Sequence, residues 1–261
     1  MANASTEWNS QAYHRVSNPQ FEWGLKVLER VHVHGNERVM DAGCGSGRLT
    51  EKLLDLVPHG HVVGVDLSQN MLDQAAEHLK RYNGRVTFAK ADLAALPFDN
   101  EFDGVFSTAS FHWVKDHEAL FRSLARSLKP GGWLIAQCGG GANLHDVRLR
   151  AQKLIDRPRY APYVRNFESP WEYAGDTVTA DRMRCAGFVD VNVWLESAPI
   201  RFASADDYKA FMVPVILRNY LLTLPTEELK DQFANDLIDE AVKDPAFHLD
   251  YWRLNMEGKK G

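Results

Sequence analysis

Val39-Met40-Asp41-Ala42-Gly43-Cys44-Gly45-Ser46-Gly47, followed by Val62-Val63-Gly64-Val65-Asp66, reads as strand, glycine loop, helix and second strand. The first strand is apolar apart from Asp41, and the second ends in a carboxylate. A βαβ unit of this kind builds an adenosine-binding crevice at the carboxyl ends of parallel strands. The glycines allow a tight turn and let the main chain approach a ligand without a Cβ clash. Asp66, nineteen residues past Gly47, is placed to accept hydrogen bonds from both hydroxyls of a ribose. The ligand class is therefore a nucleoside cofactor.

The details narrow that class. A dinucleotide fingerprint requires Gly-x-Gly-x-x-Gly, its third glycine packing helix on strand. Here the glycines fall at 43, 45 and 47, and Arg48 occupies the place of that third glycine. Asp41 precedes the first glycine by two residues, where a carboxylate disfavours a pyrophosphate and suits a cationic amino-acid ligand. S-adenosylmethionine carries a sulfonium and an ammonium and has no phosphate. The pattern continues in register. Val86 to Leu93 forms a third strand whose Asp92 suits an exocyclic adenine amine, and Phe102 to Thr108 a fourth. Leu128-Lys129-Pro130-Gly131-Gly132 is a turn feeding a fifth strand, Trp133 to Cys138.

With these motifs in order, the chain resembles the class I S-adenosylmethionine-dependent methyltransferases. The resemblance implies an α/β fold: a Rossmann-like, seven-stranded, mostly parallel sheet with an antiparallel last strand and helices on both faces. It implies S-adenosyl-L-methionine as cofactor, held by a set comprising Tyr13, Asp41, Gly43, Cys44, Gly45, Asp66, Leu67, Met71, Asp92, Leu93 and Ser107. Met71 reads equally as an adenine neighbour or as a residue packing on the sheet. Tyr13 lies in an aromatic leader with Trp8, Phe21 and Trp23. That leader either folds across the cofactor, where cation–π attraction is worth roughly 0.5–2 kcal/mol, or packs as an ordinary amphipathic helix.

After the fourth strand, Ser107 to Asp116 contains His112-Trp113, a polar–aromatic pair. It is similar to that of the trans-aconitate methyltransferases, the juvenile hormone acid methyltransferases and the enzyme that esterifies malonyl carrier protein. Glu7-Trp8-Asn9 with Tyr13 also resembles the trans-aconitate group. These families methylate carboxylates, so the resemblance implies a small-molecule acceptor, with His112 either catalytic or a structural histidine capping the loop. Trp113, Tyr163 and Arg218 are then candidate substrate-binding residues, with Arg148 and Arg165 as further cations for the acid. A phenol or enol acceptor would instead use His112 as base. The loop Gly139-Gly140-Gly141-Ala142-Asn143 lacks the proline-containing pattern of the trans-aconitate enzymes and leaves the acceptor open. C-methylation of a quinone or lipid-like precursor, and non-catalytic binding of the cofactor, are the alternatives.

Composition bounds the rest. A chain of 261 residues supports one sizeable core. A net charge of −5 speaks against nucleic-acid binding. No apolar run suits a membrane span or a signal peptide. The three cysteines lack metal-ligand spacing, so no metal is expected and a cytoplasmic location is. The chain is expected as a monomer or homodimer. Residues 1–30 read as an N-terminal cap, 31–196 as the core, and 197–247 as a helical insertion, a lid over the acceptor pocket or else a docking or dimer surface, with helices starting at Ser204 and Thr226 and a kink near Pro214. Residues 248–261 read as a final strand, His248 to Met256, with Lys259-Lys260 a solvated tail.

Overall fold

The computed structural model describes residues 18–164, 167–242 and 246–261. These fall into two compact units. The first comprises the chain through Gly141 together with Trp171–Glu196 and Arg253–Gly261; the second comprises Ala142–Pro170 and Ser197–Trp252.

In the first unit, helix α1 (Asn18–Leu28) precedes β1 (Arg38–Ala42), α2 (Arg48–Leu56), β2 (His61–Asp66) and α3 (Gln69–His78). Then come β3 (Val86–Lys90), β4 (Phe102–Thr108), α4 (His117–Ser127) and β5 (Leu128–Gly139). The central strands are buried on both faces, which is why they read as nearly unbroken apolar runs. Alternate residues serve opposite layers. Met40, Ala42, Val63 and Val65 pack with Leu120, Phe121 and Leu124 of α4. Val39 and Val62 pack with Leu53 and Leu54 of α2 and with Val27 and Leu28 of α1. At Gly104 the sheet requires the absence of a side chain, because a Cβ there would lie 2.0 Å from the Trp133 ring.

The second unit holds α5 (His145–Ile155), the short α6 (Ala161–Val164), and, after α7 (Asp176–Cys185) and β6 (Phe188–Ser197) of the first unit, the remaining helices. These are α8 (Ala205–Met212), α9 (Arg218–Leu221) and α10 (Glu227–Ala241). Ser204 and Thr226 cap α8 and α10 through their side chains, as the sequence predicts. Pro214 has no amide hydrogen to donate, and it lies in a π-helical turn over Val213–Leu217. Tyr160 packs edge-on against Phe233 at 5.1 Å and donates to Asp236, which also pairs with Arg157 at 2.9 Å.

The seven-stranded sheet has the order β3-β2-β1-β4-β5-β9-β6, where β9 is Trp252–Lys260. Pairings among β1 to β5 are parallel, and β9 runs antiparallel to β5. The bounds of the last strand differ from expectation: β9 is Trp252–Lys260. His248–Leu249 instead forms β8, which pairs with β7 (Ile200–Arg201) in a separate two-stranded sheet. The break falls at Asp250, whose carbonyl accepts from Leu144 N–H and whose carboxylate accepts from Asp146 N–H. The Lys259-Lys260 pair is no loose tail. Lys259 stands opposite Trp133 in the ladder, and Lys260 Nζ donates to Leu128 O at 2.8 Å. Strand β5 also begins earlier than expected, because Leu128 pairs with Phe102 before a bulge leads to Gly104 opposite Trp133. Among the described residues, no helix is long and apolar enough to cross a membrane.

Candidate functional site

The carboxyl ends of β1, β2 and β4 gather most of the polar residues singled out in the sequence. The turn after β1 folds back on β2, where Val65 O accepts from Gly43 N–H at 2.7 Å and from Cys44 N–H at 3.0 Å. Gly43 has φ +83°, and a Cβ there would lie 1.9 Å from Ser110 Oγ. Asp66 closes the turn, one oxygen accepting from Gly45 N–H at 3.0 Å and the other from Ser68 N–H at 2.9 Å. Below it, Asp41 is buried and accepts from Thr50 Oγ at 2.6 Å. Burial pushes its carboxyl up to about 7, against the lowering effect of Thr50, and Asp66 adds a smaller upward push.

This arrangement tests the kind of ligand the crevice fits. A pyrophosphate is bound by free loop amides. Here the amides of Gly43, Cys44, Gly45 and Gly47 all donate within the protein. The nearby charges are two carboxylates. Anionic lining with engaged amides disfavours a phosphate and fits a cation that also carries hydroxyl donors, as S-adenosylmethionine does. Asp41 and Asp66 would hold it.

The other expected cofactor residues divide by exposure. Leu67 is 45 % exposed, whereas Met71 is buried in the first turn of α3, its amide donating to Ser68 Oγ at 3.4 Å. Leu67 thus offers open apolar surface and Met71 does not. Asp92 is exposed and caps a short 3-10 turn, Leu93–Ala95, by accepting from Ala94 N–H, with Leu93 buried. Ser107 is buried, and its hydroxyl donates to Ala42 O at 2.6 Å, tying β4 to β1. The Cys44 thiol is buried and held far from ionisation by burial and by Asp41 and Asp66. Tyr13, Glu7, Trp8 and Asn9 lie outside the described residues, as does Arg165.

Beyond β4 the chain makes a single 3-10 turn, Phe111–Trp113, which presents His112. The imidazole is buried, and its Nδ1 accepts from Gly139 N–H at 3.3 Å. Desolvation by burial holds its pKa well below the ordinary histidine value, with Arg253 and His117 acting in the same direction. Aromatic rings surround it. Trp113 lies 5.4 Å and Tyr173 5.7 Å from it, centroid to centroid, and Trp171 packs on both at 5.7 and 5.9 Å. The aromatic residues between Tyr160 and Tyr173 are divided between the units. Trp171 and Tyr173 join His112 in the first unit, while Tyr160 and Phe167 pack on Phe233 and Tyr220 in the second. Tyr163 and Arg218 likewise belong to the second unit; Tyr163 is 46 % exposed, and burial lowers the pKa of Arg218. Arg148 is exposed in the same unit.

Sequence reasoning missed several neighbours of His112. Arg253, on β9, stands opposite Gly139 in the ladder and is buried. Its Nε donates to Gln137 Oε1 at 3.2 Å, and its guanidinium lies 4.7 Å from the Trp23 ring centroid. Gln137 Nε2 in turn donates to Asn255 Oδ1 at 2.8 Å. Ser110 ties the turn to the glycine loop, its hydroxyl lying 3.1 Å from Gly43 O. The strand alternation around Arg253 was visible, but nothing in it marks the charged face as the buried one.

Residues 39–132 match the methyltransferase domain family. The chain is 31 % identical over 192 residues to a trans-aconitate 2-methyltransferase of Methylobacterium nodulans, covering 74 % of this chain and 68 % of that protein. It is 36 % identical to the trans-aconitate 2-methyltransferase of Variovorax paradoxus, covering 68 % of this chain and 62 % of that one. The chain thus spans about two thirds of the length of these curated relatives. Among solved structures, a phosphoethanolamine N-methyltransferase of Haemonchus contortus, in complex with phosphomonomethylethanolamine and S-adenosylhomocysteine, superposes with a TM-score of 0.62. The identity is 21 %, with 97 % of this chain and 57 % of that one covered, so the likeness is one of fold.

Proposed function

Because the chain belongs to the class I S-adenosylmethionine-dependent methyltransferases, in their trans-aconitate methyltransferase-like group, we propose that it methylates a carboxylate oxygen of a small molecule. The observation that carries this reading is the hydrogen bond from Gly139 N–H to His112 Nδ1. A neutral imidazole that accepts at Nδ1 bears its proton on Nε2. His112 is held neutral by burial. It therefore presents a hydrogen-bond donor, and Nε2 cannot take up a proton while Nδ1 stays engaged.

This distinction separates the acceptor classes. A phenol, an enol or a carbon acid must lose a proton, and so needs a base. A carboxylic acid, with pKa near about 4, is already ionised at neutral pH and needs only donors to orient it. The buried Arg253 raises the positive potential at His112, which also favours an anion. Trp113, Trp171 and Tyr173 exclude water, and in that low dielectric a fixed donor acts more strongly.

When bound, the cofactor supplies an electrophilic methyl carbon on a sulfonium. In this reading Asp41 holds its ammonium group and Asp66 its ribose hydroxyls, while Leu67 and Asp92 address the adenine. His112 Nε2–H holds one oxygen of the acceptor in place, so that positioning and desolvation carry the rate. Cys44, Cys138 and Cys185 are all free, which supports a reducing compartment such as the cytoplasm.

The test is transfer of labelled methyl from S-adenosylmethionine to a panel of carboxylic acids, trans-aconitate included, with phenols and quinones alongside. Mild base releases methanol from methyl esters but not from ethers or C-methyl groups. Base-labile label is the expected result. Base-stable label would return His112 to the role of a base and remove the carboxylate assignment.

A further inference from the structure

We propose that His117, at the start of α4, is the positioning residue that fixes His112 in its donor orientation; this rests on the reading of His112 given above. The turn that carries His112 is a single 3-10 turn, and such turns have weak internal hydrogen bonding. It follows Ala109, a non-glycine residue at φ +55°. The turn closes on itself through Trp113 N–H to Ser110 O and Val114 N–H to Phe111 O, both at 2.9 Å, so bonds from outside set how it is seated beside β5 rather than whether it closes.

His117 supplies one of these bonds and organises another. It is 3 % exposed, and its Nε2 lies 3.0 Å from Phe111 O, the carbonyl immediately before His112. A carbonyl only accepts, so Nε2 carries the proton and Nδ1 is an acceptor. Nδ1 faces a matching donor, Arg182 Nη1 of α7, at 3.4 Å. The same Nη1 pairs with Glu172 Oε1 at 3.5 Å. Glu172 N–H then donates to His112 O at 2.9 Å, on the other side of the same residue. The carbonyls of Phe111 and His112 are thus held by one connected set of groups drawn from α4, α7 and the segment before α7. The Phe121 ring packs edge-on against the imidazole at 6.1 Å.

The chain of roles has one consistent proton assignment: Nε2–H on His117, with Arg182 donating to His117 Nδ1 and to Glu172. Glutamine can reproduce it, since its amide donates to a carbonyl and accepts from a guanidinium. Leucine fills similar space and does neither. In the same reading, a shift of the turn by about 1 Å would misplace Nε2–H of His112, and displacements of that size lower turnover by up to about 100-fold.

The experiment compares His117→Leu, His117→Gln, His112→Ala and the His112→Ala/His117→Leu double variant. Turnover on trans-aconitate, calorimetric affinity for S-adenosylmethionine and amide exchange at Gly139 are measured on each. His117→Leu is expected to lower turnover about 10- to 100-fold. Its cofactor affinity should stay within about threefold, because Asp41 and Asp66 are untouched. His117→Gln is expected to restore most of the loss, and the double variant should be no worse than His112→Ala alone. Gly139 amide exchange should rise at least about tenfold in His117→Leu and return in His117→Gln. Additive losses in the double variant, or unchanged Gly139 exchange in His117→Leu, would overturn the proposal. If His112→Ala keeps full turnover, or trans-aconitate is not methylated, the reading of His112 or of its acceptor is at fault; Gly139 exchange then decides the positioning role. Should His117→Leu fail to fold, Arg182→Met removes only the outer bond and is expected to raise Gly139 exchange in the same direction.

Discussion

Replacing Asp41 with asparagine isolates the electrostatic burden of the cofactor crevice. Asp41 is 3 % exposed, and its carboxyl is raised from 3.8 to about 7, chiefly by burial. A carboxyl raised in the folded state makes the fold less stable as pH rises from the unfolded pKa through the folded one. The loss is absent below pH 3.8, grows between there and about 7, and is constant above. Three pK units correspond to about 4 kcal/mol. Asparagine imitates the neutral carboxyl and still accepts from Thr50. At pH 8.5 the variant should therefore melt about 10 °C higher than the parent. At pH 5 the carboxyl of the parent is protonated when folded but still ionised when unfolded, so only the part of the loss between 3.8 and 5 has accrued and the gain should fall below half of that. Cofactor affinity should move the other way, dropping at least about tenfold at pH 8.5 through loss of the charge that faces the ammonium. Thermal melts at the two pH values, with calorimetry for the cofactor, decide the matter. Equal melting gains at both pH values, or none at pH 8.5, would show that Asp41 is not a buried ionised group.

Three further outcomes are expected. Asp66→Ala should weaken S-adenosylmethionine binding by at least about tenfold, since it removes charge-assisted bonds to the ribose and releases the amides of Gly45 and Ser68; unchanged calorimetric affinity would displace the crevice. Turnover should show no histidine ionisation between about pH 6.5 and 8.5, because His112 titrates well below 6.5 and stays neutral throughout. A pH–rate limb near 7 that vanishes in His112→Ala would count against the donor role. Gly104→Ala should destabilise the sheet by about 1–3 kcal/mol, as its Cβ would meet the Trp133 ring, and a melting temperature unchanged from the parent would contradict the packing described.

The parallel half of the fold was legible because its physics is one-dimensional. Buried strands must be apolar throughout, as Val62 to Val65 are, and a carboxylate at a strand end, such as Asp66, interrupts that pattern visibly. The start of β9 was misplaced for the opposite reason. Along this strand polar residues are buried too: Arg253 lies on Trp23 and Asn255 is bonded to Gln137, while the half-buried Glu257 pairs with Arg30. Alternation then no longer tells inside from outside, and the break at Asp250 comes from bonds to residues about a hundred positions away. His112 could be singled out from its motif, but its tautomer depends on Gly139, and His117 belongs to no motif and stands only as the first residue of α4. Partners distant in sequence leave no local signal.

The place of β9 between β5 and β6 has a consequence for how the molecule is assembled. Strands β1 to β5 pair over shorter separations, the longest being that of β1 with β4, whereas Gln137 and Asn255 meet across 118 residues, and nearer pairings close with less loss of chain entropy. Until β9 arrives, β5 and β6 each offer an unsatisfied edge, and such edges invite other strands. An early folding species would hold the nucleoside crevice complete while lacking Arg253 and the ladder opposite Gly139. Such a species would grip the cofactor before the strand beside His112 is in place, and cofactor present during refolding would then stabilise the half-built sheet by mass action.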